Sequence, residues 1–286
     1  MMDDDAATTS LGSDDAGTAG LWDFTPAPEP TDPVEQDALT DEVIDRDLID
    51  PDTGTGLAPM GLATPVPEEY FERFEDILPR SILYTWRRLG FEGFGNGLFW
   101  ITDPITWAPV VNEWLDPVRE RLPFTDTFHC LARNAMGYMF LWGEDSGDCL
   151  QIDPIFNKIE FNRLTHHARG QTEARERAGR VMFGGKAFNY AHEPEDVSEQ
   201  PLPPQALERL GPVNSHQVYG FVLPPALGGP ISVDNLRITD AHTYLTLQAQ
   251  QSEVAVSDPV GANWTQVAPI IGADPDMTPT TQMEDK

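Results

Sequence analysis

The chain has 286 residues and a formal charge of −29, with 23% charged residues. It is long enough for one large domain or two small ones. Its charge excludes nucleic acid and anionic membranes as simple partners, because such binding relies on Lys and Arg displacing counterions. The same field attracts basic partners and speeds their encounter.

About half of the charge sits in residues 1–52, where sixteen acids face Arg46 alone. With so little apolar content, residues 1–62 read as a disordered acidic tail. Two short stretches in it could dock on a folded surface: Leu21 to Phe24, and the group Val43, Ile44, Leu48 and Ile49. Residues 256–286 are rich in Pro, Gly, Thr and Asp without periodicity and read as a second tail. No apolar run reaches the ~18 residues of a membrane span. The acidic start is unlike a secretory signal. Two cysteines, Cys130 and Cys149, form no disulfide framework and read as buried free thiols. The expectation is a cytoplasmic protein.

Folding is expected to begin near Pro67, with a body spanning residues 66–252. Pro67-Glu68-Glu69 suits a helix first turn, and Tyr70, Phe71, Phe74 and Ile77 follow at helical spacing. A second helix after Pro79 places Ile82, Leu83, Trp86 and Leu89 on one face, and Gly90 ends it. The turn Gly93 to Gly97 feeds an apolar strand, Leu98 to Ile101. Asp103-Pro104 then caps a third helix through Val110, Val111, Trp114 and Leu115. From Phe124 the period changes to that of strands: Phe128 to Ala132, Tyr138 to Trp142, Cys149 to Ile152 and Ile159 to Phe161, separated by turn residues. These read as an antiparallel meander. Thr165 to Arg180 reads as an exposed helix, with apolar contact resuming at Phe183, Phe188 and Tyr190. Pro203-Pro204 opens a short helix that ends at Leu210-Gly211. Asp240 caps the last one, with Tyr244, Leu245 and Leu247 toward the core. The class is α+β: N-terminal helices packed on an antiparallel β-meander, followed by C-terminal helices. The divisions are 1–62 as tail, 63–125, 126–255 with the meander, and 256–286 as tail.

No residue set argues for catalysis. The histidines, His129, His166, His167, His192, His216 and His242, fit no zinc spacing. His129 and Cys130 would face opposite sides of a strand, so they make no dyad. Gly184-Gly185-Lys186 lacks the spacing of a phosphate loop, and Gly228-Gly229 lacks the third glycine of a dinucleotide fingerprint. No catalytic residue, metal ligand or cofactor is assigned.

Three segments, in order, carry a resemblance. They are Leu78 to Leu115 with Trp86, Gly90-Phe91, Gly97 to Ile101 and Asp103-Pro104; the meander with Tyr138, Leu141-Trp142 and Ile152-Asp153-Pro154; and Leu210-Gly211-Pro212 through Tyr219 to Val222, Ala226 to Gly229, Asn235-Leu236 and Leu245. Together they resemble a GAD-like domain (63–125) followed by its small C-terminal companion domain (126–255). That pair is similar to immunity proteins that protect type VI secretion bacteria from their own DNase toxins. The resemblance implies a non-enzyme that binds a cognate toxin effector, without touching nucleic acid or membrane. The competing classes are an enzyme of unknown reaction on the same scaffold and an adaptor of the secretion machinery. The motif aromatics, such as Trp100 and Tyr219, read as core. Gly97, Gly220, Gly228 and Gly229 read as tight turns. Partner binding is expected instead on acidic loops held up by the scaffold: Glu144, Asp145 and Asp148 on the meander turn, and Glu193, Glu195 and Asp196 before Pro201.

Overall fold

The computed structural model describes residues 28–257 except 51, 123–124, 163–165 and 252. The outer parts of both expected tails, 1–27 and 258–286, lie outside the described residues.

The first described element is a helix, α1 (Pro33–Ile44), continuing into one π-helical turn at Asp45–Ile49. Asp32 accepts from the Val34 amide and Pro33 takes the first helical position, a local N-terminal signal. This corrects the expectation of disorder as far as residue 62. The segment is too polar to fold alone, but Ile44 and Leu48 are buried. Its acids also meet arginines that lie far off in sequence: Asp37 pairs with Arg80, and Asp41 and Asp45 pair with Arg88.

Helices α2 (Glu68–Phe74) and α3 (Arg80–Leu89) follow, and α3 stops at Gly90 with φ +66°. Strands β1 (Gly93–Phe94) and β2 (Phe99–Ile101) lead to α4 (Pro104–Leu115). Asp103 caps α4 by accepting from the Ile105 and Thr106 amides. Strands β3 (Phe128–Asn134), β4 (Met139–Gly143), β5 (Gly147–Asp153) and β6 (Lys158–Phe161) pair antiparallel in sequence order. The chain continues through α5 (Thr172–Tyr190), α6 (Leu202–Leu210), the hairpin β7 (Gln217–Phe221) and β8 (Leu236–Asp240), and α7 (Ala241–Gln251). It ends on β9 (Ala255–Ser257), which joins β6 in parallel. The class is α+β, with seven helices among the described residues. The main sheet has seven strands in the order β1-β2-β3-β4-β5-β6-β9, more than the five read from sequence, which were the strand at Leu98 to Ile101 and the four of the meander. It crosses residues 125–126 without a break, since β2 pairs with β3 from Phe99↔Asn134 to Ile101↔Ala132.

Strand β4 shows why its sequence is apolar throughout. Met139 and Leu141 belong to one core with Trp107, Val111, Trp114 and Leu245, from α4 and α7. Phe140 and Trp142 belong to another, with Phe74, Ile82, Phe183 and Ala206, from α2, α3, α5 and α6. Both faces are covered, so the alternation that marks a half-solvated strand is absent.

The structure overturns the exposed helix expected at 165–180. Residues 172–190 form one helix, and Arg175, Glu176, Gly179 and Arg180 are buried in it. Their polarity serves backbone groups of other elements. Arg175 donates to the carbonyls of Ile77, Glu144 and His167. Glu176 accepts from the first amides of α3, Arg80 at 2.7 Å and Ser81 at 3.0 Å, which no intrahelical carbonyl can serve. Conversely Phe188 and Leu247, both expected in the core, are 67% and 52% exposed. Gly220 lies within β7 rather than in a turn: a side chain there would meet Tyr244, whose hydroxyl accepts from the Phe221 amide.

Candidate protein-binding surface

Sequence placed six carboxylates on the β4–β5 turn and the loop after α5, and the structure treats them differently. Strand pairing closes at Gly143↔Gly147, so only residues 144–146 form the turn. Asp145 is exposed and meets Arg169 at 3.2 Å. Glu144 is partly covered and meets His129 Nε2 at 3.0 Å. Asp148 is no loop residue: it lies inside β5, is 6% exposed and pairs with Lys186 of α5 at 3.1 Å. Burial pushes its carboxyl up from the ordinary aspartate range, and Lys186 opposes that shift.

On the second loop, Glu193 and Glu195 are exposed. Asp196 is turned inward on its own loop, accepting from the amides of Ser198 and Gln200 and from the Gln205 side chain. Those hydrogen bonds, with Gln205 foremost, hold its carboxyl below the usual range. The loops do not converge. Gly143, which opens the first, pairs with Phe128 at one end of β3, whereas the Glu193 carbonyl accepts from Asn134 at the other end. Six residue steps of extended chain separate them, roughly 20 Å. Helix α5 spans that distance, with Arg175 over the Trp142 ring and Tyr190 against Phe140 and Tyr138.

Beside the first loop lies a groove of about 770 Å³ between α2, α3 and the start of α5. Its apolar lining is Phe71, Ile77, Leu78 and Leu83, and the Arg175 side chain joins it to the β4–β5 turn. Three exposed carboxylates of its rim, Glu72, Glu75 and Asp76, have no ion pair among the described residues. They crowd the C-terminal end of α2, where the helix dipole disfavours anions. Sequence reasoning missed them, although acids interleaved with Tyr70, Phe71 and Phe74 at helical spacing carried the signal. Among the described residues no group of three or more His, Cys, Asp or Glu could hold a metal ion. Both cysteines are buried free thiols, pushed up to about 12 by burial. No helix of the described residues is long and apolar enough to cross a membrane.

Residues 57–155 match the family model of the GAD-like domain. Residues 187–252 match that of the C-terminal domain of the type VI secretion immunity protein Tdi1. The chain therefore carries a segment of the GAD-like family followed by one of the type VI secretion immunity-protein C-terminal family. The first match holds α2 to β5 and the groove's α2–α3 wall; the second runs from the end of α5 to α7. Helix α5 lies mostly between the two, and α1 lies outside both. The crystal structure of Atu4351 from Agrobacterium tumefaciens is similar in fold, with a TM-score of 0.60 at 21% identity over 71% of this chain and 90% of that one. A comparison with curated proteins finds no match.

Proposed function

We propose that this protein neutralises a type VI secretion DNase by binding it one-to-one in the cytoplasm of the cell that makes it. The observation that carries the reading is the tandem match to a GAD-like domain and an immunity-protein C-terminal domain. The surface chemistry agrees with it. A nuclease must hold a polyanion, so its DNA-binding cleft is basic, and an acidic protein is steered toward that cleft. The exposed carboxylates of Glu72, Glu75 and Asp76, at the end of α2, and of Asp145, on the β4–β5 turn, stand beside an apolar groove. They supply charge complementarity at the rim and buried area at the centre. The place of Glu72, Glu75 and Asp76 at the C-terminal end of α2 costs stability, about 0.3–1 kcal/mol for each exposed anion, which fits selection for contact. Glu193 and Glu195 form a second, separate contact at the far end of α5, if the toxin is large enough to span it.

The test is purification of the tagged protein from its own host, followed by titration of the co-purified toxin's DNA cleavage. A stoichiometric complex and loss of cleavage at one equivalent support the reading. A complex without inhibition would point to an adaptor, and turnover of a small molecule without any partner to an enzyme.

A further inference from the structure

Residues 29–45 pack through charge on a face of α3 and α5. Glu29 pairs with Arg180 at 2.6 Å, both side chains nearly covered, and lies 3.7 Å from Arg177. Asp37 pairs with Arg80 at 2.6 Å. Asp41 accepts from Arg88 at 2.6 Å and from the Tyr84 hydroxyl at 2.7 Å, and Asp45 meets the same Arg88 at 2.5 Å. In a chain with 18 Lys and Arg against 47 acids, four arginines gathered on one face are an anomaly. This segment neutralises all four.

Little else holds it. Val34 is 73% and Leu39 37% exposed, and the buried residues of α1 are Thr40 and Ile44. Apolar anchoring begins only at Ile44 and Leu48. The helix has twelve residues, a length that is marginal for an isolated helix in water. Its last turn contains no basic residue, so Asp41, Glu42 and Asp45 oppose the dipole there. Arg88 supplies the missing countercharge from α3, donating also to the Asp41 carbonyl at 3.2 Å. Helix α1 therefore depends on the arginines it covers. Opening returns both members of each ion pair to water, which costs far less than stranding one of them in the interior. Strap and body should therefore open separately, with the strap at the low-stability end.

We infer that the face made by Arg80, Tyr84, Arg88, Arg177 and Arg180 is a binding site for an acidic helical segment, occupied in cis by residues 29–45 and open to a competing acidic partner when that strap detaches. The face shares Arg80 and Tyr84 with the groove, whose lining also includes Asp37, so opening would widen the groove.

The test uses the full chain with four strap charges neutralised, Glu29→Gln, Asp37→Asn, Asp41→Asn and Asp45→Asn, and a synthetic peptide of residues 28–50 as probe. Hydrogen exchange should show protection lost across residues 33–45 and kept in β3 to β5. The peptide should bind this variant but not the parent. Binding should weaken at least tenfold between about 20 mM and 1 M salt, where the Debye length shrinks to ~3 Å. Adding Arg88→Ala and Arg180→Ala should abolish it. Protection of α1 that survives neutralisation would show that charge is not the latch. Lost protection without peptide binding, or binding indifferent to the two arginines, would show that the face is no site.

Discussion

Glu176 joins α5 to α3, and its removal has a size that the structure sets. Its two oxygens accept from the Arg80 and Ser81 amides, and its backbone carbonyl accepts from the Ser81 hydroxyl at 3.1 Å. Glu176→Ala leaves the first two amides of α3 without an acceptor. The Ser81 amide is buried and should cost ~2 kcal/mol, while the partly buried Arg80 amide should cost ~1 kcal/mol. Loss of a carboxylate at the helix N-terminus adds about 0.5–1 kcal/mol. The total of about 3.5–4 kcal/mol is a large share of a stability of ~5–15 kcal/mol, and should lower Tm by about 10 °C. Glu176→Gln keeps one acceptor but no charge, and should lose about half as much. Urea unfolding at pH 7, followed by tryptophan fluorescence, measures both variants. If the alanine variant lies within about 0.5 kcal/mol of the parent, α3 is capped by something other than Glu176.

Trp100→Ala and Tyr219→Ala should each cost ~3–5 kcal/mol and lose toxin protection through unfolding, since both side chains are buried and the Tyr219 hydroxyl donates to the Gly211 carbonyl; unchanged melting with lost binding would make them contact residues. Stability should fall on acidification through His166, whose imidazole is held down to about 4 by burial, His167 and Arg175. The unfolded chain takes that proton near pH 6.5, so the contribution is full above pH 6.5 and is lost as pH falls toward 4, by up to ~3 kcal/mol; His166→Phe should flatten the difference between urea melts at pH 7 and pH 4.5. Reversing Glu72, Glu75 and Asp145 to Lys should raise toxin dissociation at least tenfold, about 1.4 kcal/mol, with a smaller effect from Glu193 and Glu195; surface plasmon resonance showing the opposite order would move the principal contact to the far end of α5.

By itself the sequence determined what neighbours along the chain can decide. The stripe through Ile82 and Trp86, the caps at Asp103 and Asp240, the stop at Gly90 and the apolar strand Tyr138 to Trp142 all rest on contacts within a few residues or on one period. The family resemblance rested on motifs of this local kind. Tertiary structure alone decided which polar residues are buried. Glu176 and Arg80 are 96 residues apart, and the acids of α1 find their arginines more than 40 residues away. Composition therefore read one segment as an exposed helix and the other as tail. Asp148 shows the same limit at one residue: next to a turn in sequence, it is turned by the register at Gly143↔Gly147 toward Lys186 and away from solvent. A buried charge is stable only beside its partner, and the fold, not the chain order, brings that partner near.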